Sequence, residues 1–233
     1  MKTPERTTAE VFPRYLGGEV LADSATLKWS GLFARRYRFP RVVDGFLVPG
    51  DVSKAAEAKG IIEAAIKNYG RLDILVNNAA VATLVSVADA TETQVDTVLN
   101  VNVKGTVFGC QLAAQHLADG GRIINISSST TGLALPGYGI YDMTKGAIEQ
   151  LTRILAHELG ARRITVNAVS PGATETDTYR VGKAPAFVAS LERMSVFNRL
   201  GTIEEIADVI AFVASDNARW ITGQNIRVNG GTV

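Results

Sequence analysis

The sequence predicts an α/β protein built as one doubly wound parallel sheet. From Gly45 onward, short apolar runs alternate with longer amphipathic segments, which is the pattern of βαβ units. Each run is followed by turn chemistry, as at Asn77-Asn78 and Ser170-Pro171-Gly172. The 233 residues, 46% of them hydrophobic, suffice for one substantial core.

Strands are expected at residues 45–48, 74–76, 122–126, 164–169 and 225–228. Helices are expected at 55–69, 91–117 (with a break left open), 141–159 and 203–214. In open α/β sheets the ligand lies outside the carboxyl ends of the strands, so polar clusters just after strands are where chemistry is sought. Residues 1–44 read differently. They hold eight basic and five acidic residues, and their apolar positions follow no period of 2 or 3.6. The expected division is an atypical segment at 1–44 and the α/β core at 45–233.

Composition narrows the function classes. A net charge of +1 gives no reason to expect a polyanionic partner such as nucleic acid. No apolar run reaches the roughly 18 residues of a membrane span, and Met1 to Glu10 lack the apolar stretch of a secretory signal. Cys110 is the single cysteine and cannot form an internal disulfide, which suits a cytoplasmic protein. With only His116 and His157 beside it, no metal site is expected.

The candidate chemistry starts at Tyr141-Asp142-Met143-Thr144-Lys145. At the start of a helix, the i, i+4 spacing puts the Tyr141 phenol and the Lys145 ammonium on one face. A free tyrosine titrates near about 10. A neighbouring Lys⁺ stabilises the phenolate and lowers that value, making Tyr141 usable as a general acid–base. Alone, this spacing also fits a surface helix. Ser127, Ser128 and Ser129 follow the apolar run at 122–126, and Ser128 could hold a substrate oxygen against the phenol. Ser127 or Ser129 could do so instead, or all three could cap a turn. Asn77-Asn78-Ala79-Ala80 follows another strand, where amide side chains could tie neighbouring strand ends together and flank a cofactor, or form an ordinary turn. Asn102 is a poor helix former inside a helical stretch, which marks a site or a kink. Gly172, followed by Thr176, allows close backbone approach and a polar contact.

Together these residues resemble the short-chain dehydrogenase/reductase family. Gly50-Asp51-Val52, Asn77 to Ala80, Asn102, Ser128, Tyr141 with Lys145, Pro171-Gly172 with Thr176, Trp220-Ile221-Thr222-Gly223 and Asn229-Gly230-Gly231 stand in that family's order and spacing. The resemblance implies a Rossmann-like fold in a single domain, with its N-terminal strand–helix unit atypical or disrupted. It implies an oxidoreductase that interconverts an alcohol and a ketone or aldehyde with NAD or NADP, working as a homodimer or homotetramer. It assigns catalysis to Asn102, Ser128, Tyr141 and Lys145. Tyr141 would transfer the proton, Lys145 would also contact the nicotinamide ribose, and Asn102 would support a water linking Lys145 to solvent. Cofactor contacts would come from Asp51, Val52, Asn78, Ala79, Tyr141, Lys145, Pro171, Gly172 and Thr176. Tyr138 is a decoy, because Asp142 rather than a lysine lies four positions on. Residues 178–199, with Tyr179, Phe187, Met194 and Phe197, match a lid over the substrate or simple packing.

The sequence departs from the family at its start. The family's TGxxxGxG turn, whose backbone approaches the cofactor pyrophosphate, should fall near the first ten residues. Those residues contain no glycine, and Gly17-Gly18 and Gly31 have the wrong spacing. Residues 19–22 or 27–33 would have to supply the missing central strand. Lys28, Arg35 and Arg36 could meet a 2′-phosphate or form a solvated basic face. The alternatives to an active enzyme are a non-catalytic scaffold of the same fold and a product truncated or frameshifted upstream of Gly45.

Overall fold

The structure, a computed structural model, describes residues 47–176 and 184–233. Four strands form a parallel sheet in the order β1 (Leu72–Asn77), β2 (Leu117–Ile126), β3 (Thr165–Pro171) and β4 (Asn225–Val228). Between them run α1 (Ala55–Tyr69), α2 (Glu92–Val98), α3 (Gly105–His116), α4 (Gly139–Leu159), α5 (Pro185–Met194) and α6 (Ile203–Ala214).

The strand residues alternate between two cores, as the pleat dictates. Ile123 of β2 and Val166 of β3 pack with Ala113 of α3 and with Leu155 and Ala156 of α4. Ile124 and Ile126 of β2 and Val169 of β3 face the other way, onto Ile206, Ile210 and Val213 of α6. Helices therefore cover both faces, as a doubly wound sheet requires. On α1, Ala58 and Ile62 are spaced one turn apart and pack on Leu112 of α3. Capping boxes start α2 (Thr91 with Gln94) and α6 (Thr202 with Glu205). No helix of the described residues is long and apolar enough to cross a membrane.

Three boundaries differ from the sequence reading. The helix expected to run through Leu117 stops at His116. Leu117 pairs instead with Leu72 in the ladder, residues Ala118 to Gly121 loop out, and pairing resumes at Arg122 with Ile74. Gly120 takes φ +80 in that loop, a conformation a side chain would resist. Within the expected helix at 91–117, the chain passes through a π-helical segment, Leu99–Lys104, rather than a break. The strand expected at 45–48 is not seen at Leu47 and Val48. A strand is held by a ladder partner, and among the described residues the sheet ends at β1. The candidate substitute strands at 19–22 and 27–33, the glycines at 17, 18 and 31, and Lys28, Arg35, Arg36 and Tyr179 lie outside the described residues.

Candidate active site

Helix α4 opens just past the serine loop that follows β2, and this juxtaposition builds the site. Tyr141 sits in the first turn of α4 and Lys145 one turn later. Lys145 is 2% exposed and its ammonium donates to the Ile126 carbonyl at 2.8 Å, with Nζ 5.6 Å from the Tyr141 ring centroid. Burial pushes the Lys145 pKa down to about 8. An ammonium has three donors, so the Ile126 carbonyl leaves two for other acceptors.

The three serines, equivalent in the sequence, separate in the fold. Ser127 donates to Glu149 of α4 at 2.7 Å. Ser129 donates to the Ser170 carbonyl of β3 at 2.9 Å. Ser128 is the one whose hydroxyl lowers the Tyr141 pKa. It also lies 2.7 Å from Thr130 Oγ1.

The Tyr141 pKa runs against the sequence expectation. Burial raises it above the ordinary phenol value, the Ser128 hydroxyl pulls it down, and the charge of Asp142 and the neighbouring Tyr138 push it up again. The Lys145 ammonium itself donates to the strand carbonyl of Ile126. Tyr138, the decoy, forms the N-terminal boundary of α4.

Asn102 is fully buried in the π segment, and π segments often mark functional positions. Its side-chain oxygen accepts from the Val81 N–H at 2.8 Å. Its amide donates to the Val81 carbonyl at 2.9 Å and to Thr144 Oγ1 at 3.0 Å. The Asn102 carbonyl accepts from Thr106 at 2.7 Å. The residue thus ties the loop after β1 to the beginning of α4.

Of the expected cofactor contacts, Asn78 and Ala79 directly follow β1 and are half-buried. Pro171 ends β3, and Gly172 donates its N–H to the Val228 carbonyl of β4 at 2.9 Å. A Cβ on Gly172 would come within 2.8 Å of the Asn229 backbone, so only glycine fits there. Thr176 is half-buried just beyond. Val52 packs on Gly105 at the start of α3, where an added Cβ would lie 2.8 Å from it. Asp51 accepts from the Ser53 N–H and hydroxyl at 3.0 and 2.7 Å, which holds its carboxyl below the ordinary value.

Residues 185–194 of the expected lid form α5, in which Phe187 is largely exposed, as is Phe197 beyond it. A cavity of about 200 Å³ lies beneath this segment, lined by Gly172, Phe197, Arg199, Glu205 and Asn229 among others. Tyr141 and Lys145 do not line it.

Asn77 ties strand ends together as the sequence suggested, but the sequence reading missed the other groups that hold the site in place. Asn77 donates to Asn125 at 2.8 Å, and Asn125 to Thr152 of α4 at 2.9 Å, joining β1, β2 and α4. Thr130, Asp142 and Glu149 bond the serine loop to α4. Asn125 stood in the sequence as an amide inside an apolar run, a signal that a buried partner must exist.

Comparison with known proteins identifies the family that shares this fold. The family model described as Enoyl-(Acyl carrier protein) reductase matches residues 36–233. An uncharacterized oxidoreductase from Methylorubrum extorquens is 43% identical over 186 residues, covering 79% of this chain and 75% of its own. A short-chain dehydrogenase/reductase from Serratia marcescens superposes with a TM-score of 0.76 at 37% identity, over 80% of this chain and 76% of its own. The angucycline C-6 ketoreductase LanV with bound NADP does so with a TM-score of 0.76 at 38% identity, over 81% and 76%. The chain belongs to the short-chain dehydrogenase/reductase family.

Proposed function

We propose that the chain is an NAD(P)-dependent oxidoreductase interconverting an alcohol and a ketone or aldehyde, with Tyr141 as its proton donor and acceptor. The observation that carries this reading is the buried Lys145 ammonium one helical turn from Tyr141, 5.6 Å from its ring centroid. Burying a lone ammonium is unfavourable, and a buried, perturbed lysine beside a phenol has a ready use in proton transfer. The ketoreductase relative with bound NADP supports the cofactor and the carbonyl class.

The residues around Tyr141 and Lys145 fit the nicotinamide–ribose end of such a cofactor. Two Lys145 donors are free for ribose hydroxyls, Gly172 admits close approach, and Asn78, Ala79, Pro171 and Thr176 flank the same strand ends. Asp51 and Val52 would meet the adenine end. When bound, the nicotinamide supplies or accepts the hydride. Ser128 holds the substrate oxygen, and Tyr141 gives its proton to that oxygen in reduction or takes it in oxidation. Lys145, still charged at neutral pH with a pKa of about 8, supports the phenolate once a substrate has drawn the proton away. Asn102 keeps the loop after β1 fixed against α4.

Exposed Val107 of α3 and Met143 and Ile154 of α4 support a homodimer or homotetramer. The buried, unpaired Cys110 suits a cytoplasmic location. The test is a fluorescence titration with NADPH and with NADH, followed by turnover on a panel of ketones and aldehydes. Binding of one or both with carbonyl-dependent oxidation is expected, and binding of neither would sink the reading. The glycine-free stretch at residues 1–10 favours a second reading, a scaffold of the same fold. A folded oligomer inert with both cofactors would select it.

A further inference from the structure

Helix α4 carries a third polar group on the stripe that holds Tyr141 and Lys145. Glu149 lies one turn beyond Lys145 and two beyond Tyr141, so the three side chains leave the same face of the helix. Glu149 is half-buried, and its partners among the described residues are hydroxyls of the serine loop. Its Oε1 accepts from Ser127 at 2.7 Å and from Thr131 at 2.9 Å.

These two donors bracket Ser128. Ser127 precedes it in the chain, and the Thr131 hydroxyl also lies 2.9 Å from the Ser128 carbonyl oxygen. The single Thr131 proton is thus shared between that carbonyl and Glu149. One carboxylate oxygen therefore grips the chain both before and after Ser128. The backbone bonds of the loop run elsewhere. The Ser127 N–H donates to the Val169 carbonyl of β3 at 2.8 Å, and the Leu133 N–H to the Thr130 carbonyl at 2.9 Å. Attachment of the loop to α4 falls to side chains: Glu149 with its two hydroxyls, and Asp142 with Thr130. Bonds to a charged acceptor are the strong ones, roughly twice a neutral pair.

We propose that Glu149 is a positioning residue of this active site, clamping the serine loop to α4 through Ser127 and Thr131 and so fixing where Ser128 stands relative to Tyr141. This role rests on the assignments of Ser128 and Tyr141 made above. The two groups belong to separate elements, so their spacing is only as firm as the ties between loop and helix. A displacement of about 1 Å at a reacting centre can cost about 10²-fold in rate.

Hydrogen exchange of the full chain without cofactor reads the clamp directly. In Glu149→Ala the amides of residues 127–133 should exchange at least about tenfold faster, while those of β3 stay as in the wild type. Carbonyl reduction by the same samples reads the consequence. The kcat should fall about 10- to 100-fold, with the Kd of the reduced cofactor within about twofold. A residue that only supported the fold would lower the urea midpoint and leave kcat per folded molecule unchanged. Glu149→Gln keeps an acceptor oxygen and should recover most of both losses. Unchanged exchange or unchanged kcat in Glu149→Ala, or a glutamine as damaging as the alanine, would overturn the proposal.

Ser127→Ala combined with Thr131→Val removes the two donors and leaves the carboxylate. This pair should loosen the loop as Glu149→Ala does. Adding Glu149→Ala to it should change exchange and kcat little further, because the three groups act as one unit. A full additional loss would show Glu149 acting by another route and refute the clamp. Should Glu149→Ala not fold, the donor pair decides alone, and a loop as protected there as in the wild type refutes the clamp. Absence of turnover in the wild type would sink the oxidoreductase reading, while the exchange results still decide whether Glu149 holds the loop.

Discussion

The seam between the serine loop and α4 and the region around Asp51 and β1, where the sheet of the described residues ends, are held in opposite ways. In the seam, polar groups bond across distant parts of the chain: Asn102 to Thr144, Lys145 to Ile126, Ser129 to Ser170. All of these except Ile126 and Ser170 serve through side chains that are buried. At the edge the bonds of Asp51 are local, to Ser53, Lys54 and Glu57. Only Val76 of β1 is buried, against nearly every residue of β2 beyond Gly121 and of β3. Long-range bonds in a dry seam fix geometry before any ligand arrives, which is what a proton-transfer site needs. The local bonds around Asp51 fix only the turn that carries them.

The largest effect expected from this difference is on turnover. Tyr141→Phe removes the transferable proton while leaving the buried ring, so carbonyl reduction should fall by roughly 10² to 10⁴-fold with little change in urea midpoint. Retention of more than about a tenth of the activity would mean that another group moves the proton. On stability, the seam should be the sensitive side. Asn102→Ala leaves the Val81 N–H and carbonyl without their partners, and should cost about 3 kcal/mol at one to three per stranded group. Asn78→Ala on the edge should cost under about 1 kcal/mol. Similar losses in urea unfolding of the two variants would erase the distinction between the regions.

The buried ammonium gives the seam a pH signature of definite sign. Lys145 has a folded pKa of about 8 against an ordinary 10.5. Below pH 8 both states are protonated and folding buries a charge. Between those values the unfolded chain binds more protons, so stability rises with pH. Above 10.5 the penalty is gone. The shift corresponds to on the order of 3 kcal/mol. Urea midpoints of wild type and Lys145→Met, compared from pH 7 to pH 10, should show this rise in the wild type alone. Parallel curves would place the Lys145 charge in solvent.

Much of the seam was legible because its residues carry chemistry at fixed spacing. The helical period put Tyr141 and Lys145 on one face, and poor helix propensity singled out Asn102, which proved to lie in a π segment. Which of three adjacent serines meets the phenol was not legible, because strand pleat and loop turn decide it. Ser127 and Ser129 are drawn away by Glu149 and the Ser170 carbonyl. The pKa of Tyr141 was misread for a related reason. The sequence shows that a lysine is near, but the desolvation of the phenol and the carbonyl that captures the ammonium are products of packing. Among strands, β4 was read to the residue, while Leu117 was lost to a helix because its ladder partner, Leu72, lies 45 positions away. The partner of β1 on its open side is a matter for residues outside those described.

The smallest structural effect is expected where the edge meets a ligand. Asp51 is half-buried and its partners Ser53, Lys54 and Glu57 are all within six positions. Such local surface bonds contribute little, and Asp51→Ala should change unfolding free energy by no more than about 0.5 kcal/mol. If the edge meets the adenine end of the cofactor, the same change removes an acceptor that a bound base would use. The Kd for the reduced cofactor should then rise about 10- to 100-fold, the size of one hydrogen bond to a charged group. Turnover at saturating cofactor should stay near the wild-type value, because the proton-transfer groups lie across β2 from this edge. A variant that binds cofactor as tightly as the wild type but unfolds more easily would reverse the assignment, making Asp51 part of the scaffold of the α1 turn rather than of the cofactor cradle.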